Sequence, residues 1–73
     1  MNDDALIGTH LREKRLEAGW TQAELADRVQ VSRQTINYIE NGTFCPSTYL
    51  ALRLARVFGV AVEELFYLHE EEE

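Results

Sequence analysis

Apolar residues recur along this chain at helical intervals, punctuated by residues that start and stop helices. From Ala5 to Ala18, Ile7, Leu11 and Ala18 fall on one face with Arg15 among them, which predicts a first helix. Asp3 and Asp4 precede it, where negative charge complements the helix dipole. Gly19 suits the left-handed cap that ends it, and Leu16 reads as an ordinary exposed leucine. Thr21-Gln22-Ala23-Glu24 then spells a capping box, with Trp20 and Leu25 at the positions of a hydrophobic staple. Leu25, Ala26 and Val29 form the inward stripe of this second helix, which ends near Val29. Ser32 is the N-cap of a third, with Val31 and Ile36 as a second staple. The connection is too short for the two helices to lie antiparallel, so they must cross steeply, as in a helix-turn-helix.

Gly42 stops the third helix, and Pro46 keeps the loop TFCPS from continuing it. Ser47 caps a fourth helix running to Phe58. Its expected core face is Thr48, Ala51, Leu54, Ala55 and Phe58; Tyr49, Arg53 and Arg56 lie opposite, and Leu50 and Val57 project to the side. After Gly59, the residues Val60, Val62, Leu65 and Phe66 predict a last short helix, followed by Tyr67-Leu68 and the run Glu70 to Glu73. No strand pattern, internal repeat or second domain is visible. The expectation is an all-α fold with one domain over residues 5–68 and an acidic tail over 69–73.

Seventy-three residues bury only ~60% of their unfolded surface, so modest stability is expected. A lone cysteine, Cys45, cannot form an internal disulfide, and with the scattered His10 and His69 it offers no metal-ligand spacing. Cys45 therefore reads as an inert loop thiol, and the chain must fold by packing, helped by dimerisation. With no signal peptide and no apolar run near the ~20 residues of a membrane span, the expected location is cytoplasmic. The net charge of −6 argues at face value against nucleic acid. All seven basic residues, however, lie between His10 and Phe58 with five acidic ones, leaving +2, while the two ends carry −8. Such a body can bind DNA, with a small electrostatic contribution.

On a wheel from Ser32 to Asn41, Ile36, Ile39 and Glu40 cluster on one side. Gln34, Asn37, Tyr38 and Asn41 cluster on the other, with Arg33 beside them in the first turn. Arginine pairs with guanine O6 and N7, and asparagine or glutamine with adenine N6 and N7. The N-terminal part of a recognition helix is what reaches base edges. The plainer reading is a solvated helix face. Such faces usually carry Glu and Lys, whereas this one has no carboxylate to repel phosphate.

The segment RLEAGWTQAELADRVQVSRQTINYIENG resembles the helix-turn-helix of the Cro and phage-repressor (XRE) family of bacterial regulators. SRQTINYIENG, Pro46-Ser47, GVAVEELF and the acidic tail are similar to its short stand-alone members, and the resemblance covers about residues 7 to 68. It implies a compact five-helix, lambda-repressor-like domain that binds operator DNA as a dimer. Gln22 matches a family glutamine that contacts a phosphate and braces the recognition helix. Arg33, Gln34, Asn37 and Tyr38 match groove-facing positions, and Thr35 and Asn41 match backbone-contacting ones. Ala26 matches a small residue at the helix crossing, and Arg15 and Glu40 match a structural ion pair. There are departures: Gln30 stands where glycine is usual, Ala61 replaces a serine cap, and Thr43 and Cys45 replace what are often lysine and asparagine.

The leading expectation is a sequence-specific DNA-binding transcriptional regulator, a repressor, inserting residues 32–41 into the major groove. A homodimer is expected because one unit reads too few base pairs among a genome of competing sites. Leu50, Val57, Phe66, Tyr67 and Leu68 are candidates for the partner surface, or else complete a small core. One alternative is an antitoxin that autoregulates its operon and binds a toxin. Another is a protein-binding module without DNA binding. No nucleophile–base pair, carboxylate dyad or phosphate loop is visible, so neither catalysis, nor a cofactor, nor a small-molecule ligand is expected.

Overall fold

The helix-turn-helix segment starts and stops where its side chains direct. In the computed structural model, which describes residues 7–69, α1 spans Leu11–Ala18, α2 Gln22–Val29, α3 Arg33–Glu40 and α4 Thr48–Phe58. The Thr21 hydroxyl accepts from the Glu24 N–H at 3.0 Å while the Glu24 carboxylate accepts from the Thr21 N–H at 2.8 Å, completing the capping box. Ser32 and Ser47 cap α3 and α4 by accepting from the N–H groups of Thr35 and Leu50. Gln30 takes the left-handed conformation at φ 64°, which costs an L-residue roughly 1–2 kcal/mol. Its side-chain amide offsets part of that by donating to the Asp27 carbonyl at 2.9 Å.

The ends depart from the expected all-α, five-helix plan. The fold is mostly helical, but the described residues form four α-helices and a small antiparallel sheet, β1 Ile7–Thr9 with β2 Phe66–Leu68. Ile7 pairs with Leu68, Gly8 with Tyr67 and Thr9 with Phe66, and the His10 N–H extends the pairing to the Leu65 carbonyl at 2.8 Å. Ile7 and Leu11 have helical spacing, yet the chain turns between them, where the Thr9 hydroxyl accepts from the Leu11 N–H at 3.0 Å. The expected fifth helix is a single 3₁₀ turn, Val62–Glu64, whose N-cap Ala61 makes no side-chain cap bond. The Tyr67 ring lies across Gly8, where a Cβ would displace its outer edge. That ring stacks on His10 with centroids 4.7 Å apart. Asp3, Asp4, Ala5 and the run Glu70 to Glu73 lie outside the described residues.

One core joins these elements: Leu11, Leu25, Ala26, Val29, Ile36, Ile39, Leu50, Leu54, Ala55 and Leu65 are buried, with Trp20, Val57, Phe58 and Phe66 packed against it. Leu50 is thus a core residue, not a projecting one, and Thr48 is exposed. Helix α4 is packed from two sides, so its buried arc is wider than one stripe. Tyr49, Leu52, Tyr67 and Leu68 are the large apolar or aromatic residues of α4 and β2 that remain exposed, as does Leu16 on α1. Among the described residues no helix is long and apolar enough to cross a membrane.

Candidate nucleic-acid interface

Helix α3 has two differently employed sides. Ile36 and Ile39 are buried against α2 and the core. Beside them the Glu40 side chain, 2% exposed, holds Arg15, 9% exposed, in a two-pronged ion pair. Arg15 Nε donates to Glu40 Oε2 at 2.6 Å and one terminal nitrogen donates to Oε1 at 3.1 Å. The other terminal nitrogen donates to the Trp20 carbonyl at 2.9 Å, so α1, the entry to α2 and the end of α3 share one guanidinium. This is the scaffold role expected of the pair.

Gln22, in the first turn of α2, joins the same network. Its Nε2 donates to Glu40 Oε1 at 3.0 Å and to Asn37 Oδ1 at 3.3 Å. The glutamine therefore braces α3, as expected of its position. Sequence patterning does not signal its link to Asn37: residues fifteen apart become neighbours only once the two helices cross.

The outward side carries the other site residues. Arg33, Gln34, Tyr38 and Asn41 are exposed, and Asn37 and Thr35 are partly buried. The Thr35 hydroxyl lies 2.9 Å from that of the capping Ser32, which turns Thr35 toward the helix start. Thr43 closes the far end by donating to the Tyr38 carbonyl at 3.2 Å. Arg33, Gln34, Asn37, Tyr38 and Asn41 thus form one strip with a cation, three amides and a phenol, and no carboxylate. Such a strip can donate to and accept from base edges while meeting phosphates without repulsion. Near α2, Arg28 sits over the Trp20 indole at 4.2 Å, a cation–π contact that sequence patterning does not signal.

The Helix-turn-helix family model matches residues 11–65 of this chain. The chain belongs to the helix-turn-helix family. It is 50% identical over 64 residues to an uncharacterized HTH-type transcriptional regulator of Methanothermobacter thermautotrophicus, covering 86% of this chain and 93% of that protein. A second such regulator, from Archaeoglobus fulgidus, is 47% identical over 64 residues, 88% of this chain and 91% of that protein. The competence pilus inhibition repressor of Acinetobacter baylyi is 38% identical over 64 residues, covering 88% of this chain and 58% of the repressor. Among solved structures, the hypothetical transcription factor NHTF from Neisseria superposes with a TM-score of 0.68 at 26% identity. That match covers 74% of this chain and 62% of the other. The helix-turn-helix protein described here is a DNA-binding transcriptional regulator of the XRE type.

Proposed function

We propose that this regulator is a repressor that binds a specific operator as a homodimer, with α3 in the major groove. The observation that carries the reading is the two-sided character of α3. Its carboxylate-free strip faces outward, while its opposite side is clamped by a buried ion pair and a hydrogen bond from Gln22 to Glu40. Rigid presentation suits base reading, because a loosely held side chain loses entropy on binding. Arg33, Gln34, Asn37 and Tyr38 are assigned to base edges, and Thr35 and Asn41 to the sugar-phosphate backbone. Gln22 meets a phosphate through its backbone N–H, which lies in the first turn of α2 without an intrahelical partner. Its side-chain nitrogen is already committed to Glu40 and Asn37.

A dimer places two copies of α3 in successive major grooves, ~34–36 Å apart along the duplex. Tyr67 and Leu68, exposed on β2, remain available to a partner copy; Leu50 does not. The repressor among the relatives supports the sign of regulation, and a cytoplasmic location follows from the DNA target. The domain is assigned to residues 5–68, with 69–73 as a solubilising tail.

Selection from random duplexes tests the reading directly: enrichment of a two-fold symmetric motif is expected, and no enriched motif would sink it. Arg33→Ala or Gln34→Ala should cost ~1–3 kcal/mol of binding and relax preference at one base position, with the melting temperature unchanged. Affinity should fall steeply with salt, which a protein-binding module without DNA contacts would not show. Sedimentation as a monomer at tens of micromolar, with and without operator, would remove the dimer.

A further inference from the structure

Asn37 is the residue of the outward strip that also touches the buried network, and its amide is not free to choose which end faces outward. The order of charges explains why. Arg15 is a cation and donates with three nitrogens, two of them to Glu40. Glu40, paired as a carboxylate, has only acceptors, so the Gln22 atom 3.0 Å from its Oε1 must be the amide nitrogen. An oxygen there would face an oxygen. That nitrogen carries two hydrogens, and the second points to Asn37 at 3.3 Å. The Asn37 atom receiving it must in turn be the oxygen, since a nitrogen would set donor against donor. With Oδ1 held toward α2, the Nδ2 amino group is the end left to face outward.

We propose that the buried ion pair sets the hydrogen-bonding polarity of Asn37, so that this side chain meets DNA as a donor. This rests on the reading of α3 as the groove helix and names what one position of it selects. Asn37 is the reading residue; Gln22 and Glu40 are positioning residues that act through it. A donor-presenting side chain best matches edges that offer acceptors without a neighbouring donor: guanine through O6 and N7, or thymine through O4. Adenine instead sets its N6 amino group beside its N7 acceptor. Cytosine presents its N4 amino group in the major groove and is rejected. The bidentate match of asparagine to adenine needs both amide atoms aimed at one edge. Here the oxygen is turned to Gln22, so adenine loses its usual advantage.

The test is a base-preference profile. Bound duplexes are selected with the native protein and with Asn37→Ala, and the position whose preference the alanine variant flattens is the one Asn37 reads. At that position the native protein should favour guanine or thymine over cytosine by roughly tenfold. Adenine or cytosine as the best base there overturns the proposal. Gln22→Met removes the donor that orients the amide, which can then turn over. Discrimination against cytosine should collapse at that position alone; unchanged discrimination overturns the proposal. Asn37→Asp keeps the network intact and provides the second route should Gln22→Met fail to fold. One carboxylate oxygen accepts from Gln22 and the other now faces DNA as an acceptor. Its charge lowers affinity for every sequence by repelling phosphate, but among the duplexes bound at low salt the best base should move to cytosine or adenine. Retention of guanine by this variant also counts against the idea. Should the native protein enrich a motif that Asn37→Ala leaves untouched, Asn37 is no reader and the proposal fails while DNA binding stands. Should it enrich nothing, the groove reading itself fails.

Discussion

The helix-turn-helix and the two chain ends are held by different means. In α2 and α3 each N-terminus is fixed by a side chain within three residues of it, Thr21 with Glu24 and Ser32 with Thr35. At the ends, neither His10 before α1 nor Ala61 before the 3₁₀ turn makes a side-chain cap bond. There the order comes from backbone pairing between residues at opposite extremes of the sequence, Ile7 with Leu68. The part proposed to touch DNA is locally specified and then cross-braced by Arg15, Glu40 and Gln22. The ribbon depends on the whole chain having folded first. Local encoding makes the reading head rigid, and long-range closure finishes the core without shaping the head.

The largest expected effect tests the brace. Glu40→Ala strands the buried Arg15 guanidinium and should cost ~3–5 kcal/mol of unfolding free energy, measurable by urea denaturation. Replacing both partners together with methionine should recover most of that stability yet leave DNA binding impaired, because Gln22 keeps only its longer bond to Asn37 on α3. A double variant that binds normally would show that bracing is irrelevant to recognition. Gly8→Ala tests the ribbon: swinging the Tyr67 ring off its stack on His10 should cost ~1–1.5 kcal/mol. The accompanying loss of hydrogen-exchange protection should be confined to β1, β2 and His10, and its spread into α3 would dissolve the contrast. Smallest is Ala61→Ser, which supplies the missing cap of the 3₁₀ turn and should add about 1 kcal/mol. Its melting temperature should rise with operator affinity unchanged.

Legibility in the sequence follows the same division. The starts of α2, α3 and α4 could be read because each is written in a few adjacent residues. The outward strip could be read because a wheel needs only one helix. The ribbon could not: Phe66-Tyr67-Leu68 is three residues long, and its partner strand has the spacing of a helix face. A single-stripe wheel puts Leu50 at the side because it assumes one packing partner, whereas α4 meets the core over a broad arc that includes Leu50. The link from Gln22 to Asn37 is a product of the crossing itself. Neither residue's type, nor their separation in the chain, indicates it before the angle between α2 and α3 is known.

Trp20 gives this arrangement an optical handle. It is the sole tryptophan, its carbonyl receives Arg15, and its indole meets both the Arg28 guanidinium and the Phe58 ring, whose centroid is 5.3 Å away. Emission from that one indole therefore reports on the junction where α1, α2 and α4 meet, without any label. Loosening of the Arg15 anchor would shift its colour before the helices themselves melt, separating slackening of the reading head from unfolding in a single titration.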